Sequence, residues 1–392
     1  MNKTSFYENI IPMITFVLLI VIPFNVIAKD INYKTTPLTN NGRKWQIGYY
    51  EGGPYSDYQS HLKAAIKGLM MLGWMEEAKF PKLPDTEDTK VLWNWLSTNS
   101  KSKYIEFADN AYWSSNWDKK MRSENRKACI KQLSKGDIDF MFALGTWAGQ
   151  DLANDEHSVP TFCLSISDPI KAKVIQSAED SGYDHIIARC DPTRYMRQIR
   201  LFHDIIRFKK LGVVYEDTPD GRTYAGLEDL REIGNERGFE VVECIALDLT
   251  ANLQKAVEEY AECCKILAPK IEAFYFTDHI GAHTDYLSKP LAPLFKYKIP
   301  TWTRRGSEQV KHGVLMSIAK KNFEYFSPYY GETIGKILNG ARPRDLNQVL
   351  REPLKLSINL ETAKIIDYNV PNNVLKVADI VYDKIEKDKV AK

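Results

Sequence analysis

The sequence predicts an α/β protein in which two doubly wound parallel-sheet lobes are joined by a hinge. Short apolar runs that end in a turn are each followed by a longer helical pattern, which is typical of parallel sheets covered by helices. This series occurs twice along the chain. The length of 392 residues exceeds the roughly 100 to 200 residues of one ordinary domain. We therefore expect two similar lobes with a ligand cleft between them.

The first series predicts an N-terminal lobe over residues 45–168, completed by 315–345. Its apolar run at 45–50 predicts a strand, and a turn rich in glycine and proline leads into a helix. The further strands and helices expected here are strands at 103–108, 139–144 and 160–166 and helices at 61–72 and 123–133. The chain should cross to the second lobe between 167 and 191.

The second series predicts a C-terminal lobe over residues 190–310. The elements expected in it are strands at 211–215, 239–245, 273–276 and 299–303 and helices at 224–237 and 253–267. The remaining segment, 346–392, is expected to pack across the hinge. One insertion, at 77–117, is unusually rich in tryptophan. For that insertion the sequence favours a surface excursion over a lid.

The N-terminus has the pattern of a cleavable export signal over residues 1–28. A polar start with Lys3 leads into an apolar run, and the small residues Val26 and Ala28 precede a cut at Lys29. An uncleaved anchor is the alternative, because a run of roughly 19 residues can just span a bilayer. The first mature residue is not a cysteine, so no lipid anchor is expected. The predicted location is the periplasm.

Composition excludes several classes of protein. A hydrophobic fraction of 44% and an aromatic fraction of 11% are those of a globular chain and not of a disordered one. Lysine and arginine total 53 against 51 acids, a net charge of +2, which does not favour nucleic acid as a partner. The two histidines His279 and His283 lack partner cysteines. We therefore predict no metal and no cofactor.

The six cysteines do not form a disulfide scaffold, because a chain of this length can bury a stable core without them. Buried free thiols are the favoured interpretation. Cys244 lies in a predicted strand, and the following predicted helix carries Cys263 and Cys264. Cys244 with either of these two is the pair for which a bridge is the alternative.

The turns after the predicted strands carry the candidate ligand-binding residues. Thr146 and Ser167 can donate hydrogen bonds to a carboxylate, and Asp278 or Glu216 can hold an ammonium group. Tyrosine and tryptophan rings can pack on an apolar or aromatic side chain, and Arg304 would favour an anionic ligand. The full set is Glu51, Tyr55, Tyr58, Thr146, Trp147, Ser167, Asp168, Glu216, Thr223, Asp278 and Arg304. The alternatives are helix capping, turn shaping, core packing and, for the arginine, solvated surface.

Several short segments occur in an order that resembles the substrate-binding proteins of ATP-driven importers, in the tryptophan/tyrosine-type branch. They are Ile47-Gly48, Thr146 with Ala148 and Gln150, 166–169, 211–215, Thr277-Asp278 and, most distinctively, 358–364. The resemblance implies a type I periplasmic binding fold. It also implies a small-molecule ligand, an ABC permease of the inner membrane as partner, and a protein that is not an enzyme. We expect a monomer.

The ligand class predicted from the resemblance and from the aromatic residues in the turns is an amino acid with an aromatic or apolar side chain. A ligand-sensing domain for a membrane receptor remains an alternative, because it needs the same two-lobed clamp. A periplasmic enzyme of similar fold is a further alternative. The sequence contains no Gly-x-Ser-x-Gly elbow, no phosphate loop and no His-Glu-x-x-His, although residues brought together in space need no local motif.

Overall fold

The computed structural model describes residues 33–81, 88–248, 252–318, 323–353 and 355–387. The predicted export signal, 1–28, lies outside the described residues. Within them the strands form a five-stranded and a seven-stranded sheet. The strands of the first sheet are β1 (Trp45–Glu51), β2 (Ile105–Ser114), β3 (Phe140–Leu144), β4 (Thr161–Leu164) and β5 (Ile186–Ala188).

The first sheet has the order β2-β1-β3-β4-β5 and is parallel throughout. Its middle strand, β3, is buried at every position, as expected when helices cover both faces. Successive side chains point to opposite faces. Phe140 and Phe142 therefore pack into one core with residues of the helices Ser56–Met71 and Ser327–Leu338, whereas Met141 and Ala143 pack into the core on the other face.

The second sheet has the order β12-β11-β10-β9-β8-β6-β7. Its strands are β6 (Lys210–Tyr215), β7 (Glu240–Ile245), β8 (Ala273–Phe276), β9 (Thr301–Thr303), β10 (Met316–Ile318), β11 (Leu356–Asn359) and β12 (Ala378–Tyr382). Strands β10 and β11 pair antiparallel, and the other described neighbours pair parallel. The α/β class with two parallel-sheet lobes is thereby confirmed.

Helices connect the strands and cover the sheets. The described helices are α1 (Ser56–Met71), α2 (Thr89–Asn99), α3 (Lys119–Leu133), α4 (Thr146–Leu152), α5 (Arg194–Ile206), α6 (Pro219–Ala225), α7 (Leu227–Arg237), α8 (Leu253–Leu267), α9 (Ser288–Lys296), α10 (Ser307–Lys311), α11 (Ser327–Leu338), α12 (Leu360–Ile365) and α13 (Asn372–Val377). Among the described helices, none combines the length and the apolar content that a bilayer span requires.

The chain passes between the lobes more than once. It leaves the first sheet after β5 and enters the second lobe with α5, whose Ile199 and Phe202 pack in the second core. Strand β10 belongs to the second sheet, although the sequence assigned 315–345 to the first lobe. Helix α11 does pack in the first lobe, against α1. Within the predicted hinge segment 346–392, β11 and β12 extend the second sheet.

Three local expectations from the sequence are corrected. The helix expected at 224–237 is divided by Gly226, whose φ of 63° is the left-handed conformation that ends a helix. The described parts of the 77–117 insertion, 77–81 and 88–117, do not form the expected surface excursion, because β2 is a sheet strand and Trp93 is completely buried. Cys244 on β7 forms a disulfide with Cys263 on α8, so the favoured free-thiol interpretation is wrong for this pair.

Candidate functional site

A cavity of about 830 Å³ lies between the two lobes at the carboxyl ends of their strands. Ligands of open parallel sheets bind at this edge. The turns after β1, β3, β4 and β5 contribute lining residues from the first lobe, and those after β6, β7, β8 and β9 contribute them from the second. One lining residue from each turn, in that order, is Tyr55, Thr146, Ser167, Arg189, Glu216, Asp248, Asp278 and Arg304.

Aromatic rings form a large part of the wall on the first-lobe side. The ring centroids of Tyr55 and Tyr58 are 5.2 Å apart, and those of Trp117 and Trp147 are 5.5 Å apart in an edge-to-face arrangement. The guanidinium of Arg122 lies 4.6 Å from the centre of the Trp147 ring. Such contacts hold the rings in place, so this wall offers a preformed surface for a flat or apolar group.

Trp117 reaches this wall because two glycines leave room for it. Its backbone N–H donates to the carbonyl of Gly52 at 2.9 Å, and its indole Nε1 donates to the carbonyl of Pro54 at 2.9 Å. A Cβ on Gly53 would lie 2.7 Å from atoms of Trp117, and one on Gly52 would lie 2.8 Å away. The glycine-rich turn after β1 is therefore shaped to the tryptophan.

Acidic and basic side chains dominate the second-lobe wall. The backbone N–H of Asp248 donates to Oε1 of Glu216 at 3.4 Å, which places two carboxylates side by side after β7 and β6. Burial raises the pKa of Asp248 above its ordinary value, although the backbone N–H of Ile280 donates to its Oδ1 at 2.9 Å. In the turns after β8 and β9, Asp278 Oδ1 lies 3.8 Å from Nε of Arg305.

Arg304 is the most deeply buried cation of that wall, at 2% exposure. Its Nη1 donates to the backbone carbonyl of Tyr224. Its guanidinium carbon lies 3.5 Å from the centre of the Tyr195 ring, within the range of a cation–π contact. Its Nε and Nη2 make no hydrogen bond to any part of the chain that the structure describes.

A buried ion cluster closes the cavity at the hinge. Glu352 Oε1 accepts hydrogen bonds from Nη1 and Nη2 of Arg189, at 2.9 and 2.7 Å. Its Oε2 lies 3.1 Å from Nε of Arg194. Arg189 follows β5 in the first lobe, Arg194 begins α5 in the second, and Glu352 lies on a later connection between them. The cluster thus ties both lobes to one carboxylate, with two cations against one anion.

The lobes also contact each other through side chains at one side of the cavity. Lys171, after β4, donates to Oδ1 of Asp229 on α7 at 2.7 Å. Gln150 on α4 donates to Oδ1 of Asp220 on α6 at 3.4 Å. These contacts hold the lobes against one another at that side.

The structure brings most of the sequence-predicted site residues together. Those that line the cavity are Tyr55, Tyr58, Thr146, Trp147, Ser167, Glu216, Asp278 and Arg304. Whether each of them contacts a ligand stays a prediction. Among the described lining residues, Glu51, Asp168 and Thr223 do not occur.

Those three side chains have structural partners instead. Glu51 is completely buried and accepts hydrogen bonds from the hydroxyls of Tyr49 and Tyr112, at 2.7 and 3.0 Å. Burial raises its pKa to about 7. Asp168 Oδ1 accepts from the backbone N–H groups that follow it, which is the turn-shaping alternative. Thr223 Oγ1 donates to a carbonyl one helical turn back, at 3.0 Å.

Sequence reasoning missed several lining residues. Asp248 lies in the turn after β7. It could have been selected as Glu216 was, because both residues follow a predicted strand. Arg189 follows β5, a strand of three residues that carries too little pattern to recognise. Arg194, Tyr195 and Glu352 come from a helix start and an irregular connection, where no local signal marks them. In the described ranges no three histidine, cysteine or acidic side chains are grouped as a metal site requires.

Comparisons with known proteins agree with this architecture. A family model described as "ABC transporter substrate binding protein" matches residues 102–382. A structure described as an ABC domain in complex with L-Trp, from Streptococcus pneumoniae, superposes with a TM-score of 0.63 at 18% identity, covering 86% of this chain and 99% of that one. A comparison with curated proteins found no match.

Two further solved structures are similar over the same extent. A conserved domain protein from Vibrio cholerae has a TM-score of 0.62 at 16% identity, covering 86% of this chain and 100% of that one. The ligand-free, open structure of a substrate-binding protein with adhesive properties from Clostridium difficile has a TM-score of 0.59 at 20% identity, covering 87% and 100%. These likenesses confirm the two-lobed periplasmic binding fold.

Proposed function

The chain belongs to the family of ABC transporter substrate-binding proteins, and from that premise we propose that it captures an amino acid with an aromatic or apolar side chain and delivers it to an ABC importer. The ligand would be enclosed in the interlobe cavity. Export across the inner membrane, as the pattern of residues 1–28 predicts, would place the protein in the periplasm. Its partners would be this ligand and an inner-membrane permease, with the protein acting as a monomer and not as an enzyme.

The observation that carries the proposal is that one cavity presents an aromatic wall and a wall with charges of both signs. An amino acid needs an acid for its ammonium group, a donor for its carboxylate and a surface for its side chain. Asp278 and Arg304 come from adjacent turns of the second lobe, and Tyr58 and Trp147 come from the first. Once the lobes enclose a ligand, its charged groups interact more strongly with the wall, because the low dielectric of a water-excluding site favours each ion pair.

The ligand of one structural relative agrees with this class. The Streptococcus pneumoniae protein was solved with L-Trp. At 18% identity the likeness transfers the fold alone, so the support for an aromatic ligand here comes from the residues of this cavity.

The proposal is tested by thermal unfolding of the purified protein with a panel of amino acids, small carboxylates, purines and sugars. A ligand that binds only the folded state stabilises it by about 2.7 kcal/mol at a concentration of 100 times Kd. We expect aromatic and branched amino acids to raise the midpoint. Stabilisation by sugars or purines alone would contradict the proposed ligand class.

Closure and delivery need separate measurements. Small-angle scattering should show a smaller radius of gyration with the stabilising amino acid than without it, because two-lobed proteins close around their ligands. Uptake of the labelled amino acid into cells should fall when the gene is deleted and recover when it is restored. Unchanged uptake would favour a sensing role over transport.

A further inference from the structure

Arg304 lines the cavity, and one hydrogen-bonding edge of its guanidinium has no partner among the described residues. A guanidinium is planar and carries five N–H donors on three edges. One edge of Arg304 is occupied, because Nη1 donates to the carbonyl of Tyr224. The unpartnered atoms, Nε and Nη2, share a different edge, since Nη2 is the terminal nitrogen on the side of the Nε–H bond. Two parallel N–H groups on one edge match the two oxygens of a carboxylate.

Burial makes it unfavourable in free energy for this edge to have no hydrogen-bond partner. Arg304 is 2% exposed and lines the cavity, so water solvates it poorly. A guanidinium stays protonated in proteins, and it cannot relieve the cost by losing its charge. Asp278, the acid of the neighbouring turn, forms an ion pair with Arg305. A buried polar group without a partner disfavours the folded state until a ligand satisfies it.

We propose that Arg304 is the carboxylate receptor of this cavity, forming two parallel hydrogen bonds from Nε and Nη2 to the carboxylate of the bound ligand. This inference rests on the proposed function and deepens it, because it assigns the α-carboxylate of the amino acid to the second lobe. The sequence had placed the carboxylate at Thr146 and Ser167, in the first lobe.

The position of Arg304 beside Asp278 fits an amino acid head group. The two residues follow β9 and β8, which are neighbours in the sheet, and neighbouring strands lie about 4.8 Å apart. In an amino acid the ammonium and carboxylate groups are attached to the same carbon. Adjacent turns that carry an acid and an arginine therefore match both groups at once.

Gly226 leaves room for the Arg304 side chain. A Cβ at position 226 would lie 3.2 Å from Nη1 of Arg304 and 3.6 Å from its guanidinium carbon. The glycine that ends α6 thus also sets how close the backbone approaches the guanidinium. Gly226→Ala should displace the arginine without removing it.

The first test compares matched ligands on the unaltered protein, so it needs no variant to fold. Calorimetric affinities are measured for L-tryptophan, L-tryptophanamide and 3-indolepropionate, and for the corresponding phenylalanine and leucine sets. The amide removes the charge of the carboxylate, and the propionate removes the ammonium group. We expect each amide to bind at least about 30-fold more weakly than its acid, the loss typical of a broken buried charge pair.

The second test repeats the series on Arg304→Met, with Arg231→Met as the control. Arg231 is an exposed residue of the same lobe, paired with Glu243, and its loss should change no affinity. Arg304→Met should remove the preference for acid over amide, and Gly226→Ala should reduce it. Arg304→Lys keeps the charge but not the paired donors. Its preference for acid over amide should be weaker than that of the parent protein. This variant replaces Arg304→Met if the latter does not fold.

The outcomes separate this inference from the proposed function. Amino acids and their amides binding equally well would overturn the role of Arg304 and leave the function standing. Binding of carboxylates without amino groups, lost in Arg304→Met while no amino acid binds, would overturn the ligand class and support the receptor. If none of these acids binds at millimolar concentration, both are overturned.

Discussion

The two walls of the cavity differ in chemistry although the two lobes share one architecture. The first-lobe wall is rich in aromatic rings, Tyr58 and Trp147 among them, and its charged members are Asp57, Lys119 and Arg189. The second-lobe wall is mainly charged, with acids after β6, β7 and β8 and arginines after β9. Equivalent turns of similar sheets thus carry opposite kinds of side chain. The fold determines where a site lies, and the turn residues decide what it binds.

The difference predicts two kinds of energetic effect. Contacts with the aromatic wall depend on buried area and shape, and they are insensitive to the charge of the ligand. Contacts with the charged wall depend on direction and on a partner of opposite sign. Substitutions on the two walls should therefore be distinguishable by which ligand group they affect.

The largest expected effect concerns the layer beneath the aromatic wall and uses Glu51→Gln. Burial raises the pKa of Glu51 to about 7, above its value of roughly 4.3 in an unfolded chain. The folded state therefore prefers the protonated carboxyl. Its stabilising contribution is complete below pH of roughly 4.3 and is lost as the pH rises through 7, with a total loss of roughly 4 kcal/mol.

Urea unfolding of Glu51→Gln and of the parent protein between pH 5 and pH 8.5 measures this effect. The variant should gain stability relative to the parent as the pH rises, because glutamine stays neutral. Glu106→Gln, at an exposed position of β2, is the control and should show no such trend. A stability difference that is independent of pH would contradict the titration of this carboxyl near pH 7 in the folded protein.

The charged wall is tested with Asp278→Asn, which should weaken amino acid binding by roughly 10- to 100-fold, as expected for a hydrogen bond to a charged group. The affinity for 3-indolepropionate, which has no ammonium group, should stay within a few-fold of its value for the parent protein. Asp204→Asn, in an exposed ion pair with Arg237, is the matched control for calorimetry. An equal loss for both ligands would mean that Asp278 acts by holding Arg305 and not by holding the ammonium group.

The smallest effect is expected on the aromatic wall, from Trp147→Leu. Loss of the ring should weaken binding of L-tryptophan by about 3- to 10-fold, the range of an aromatic pair contact, and should affect L-leucine less. Calorimetry with the two amino acids gives the ratio. Tyr297→Leu, at an exposed aromatic position, serves as the control. Equal losses for both ligands would contradict a specific contact between the Trp147 ring and an aromatic side chain.

The fold was largely predictable because its signals are local. Strands buried on both faces are continuous apolar runs, and β3, with Phe140 and Leu144 at its ends, is one. Helix α8 was predicted with its observed bounds, Leu253–Leu267. The short strand β5 was missed because three residues carry no periodicity. Gly226 divided a predicted helix because its backbone is left-handed, and a glycine within a helical pattern does not by itself show whether the helix ends there.

The disulfide also shows that a local pattern cannot decide which side chains meet in space. The sequence placed Cys244 on a strand and Cys263 and Cys264 on the next helix, without choosing between them. Successive residues of a helix point about 100° apart, so only one of two neighbours can face the strand. The structure pairs Cys263 with Cys244 and buries Cys264 as a free thiol.

The sequence by itself determined the two-lobed α/β fold, the family and the turns in which a site must be sought, because each depends on patterns within short stretches of chain. Only the tertiary structure decided which side chains share the cavity. Glu51 is buried and accepts a hydrogen bond from a tyrosine. Distant connections bring Arg189, Arg194 and Glu352 together. One edge of Arg304 has no partner among the described residues. Those outcomes depend on how the lobes pack, which no local pattern encodes.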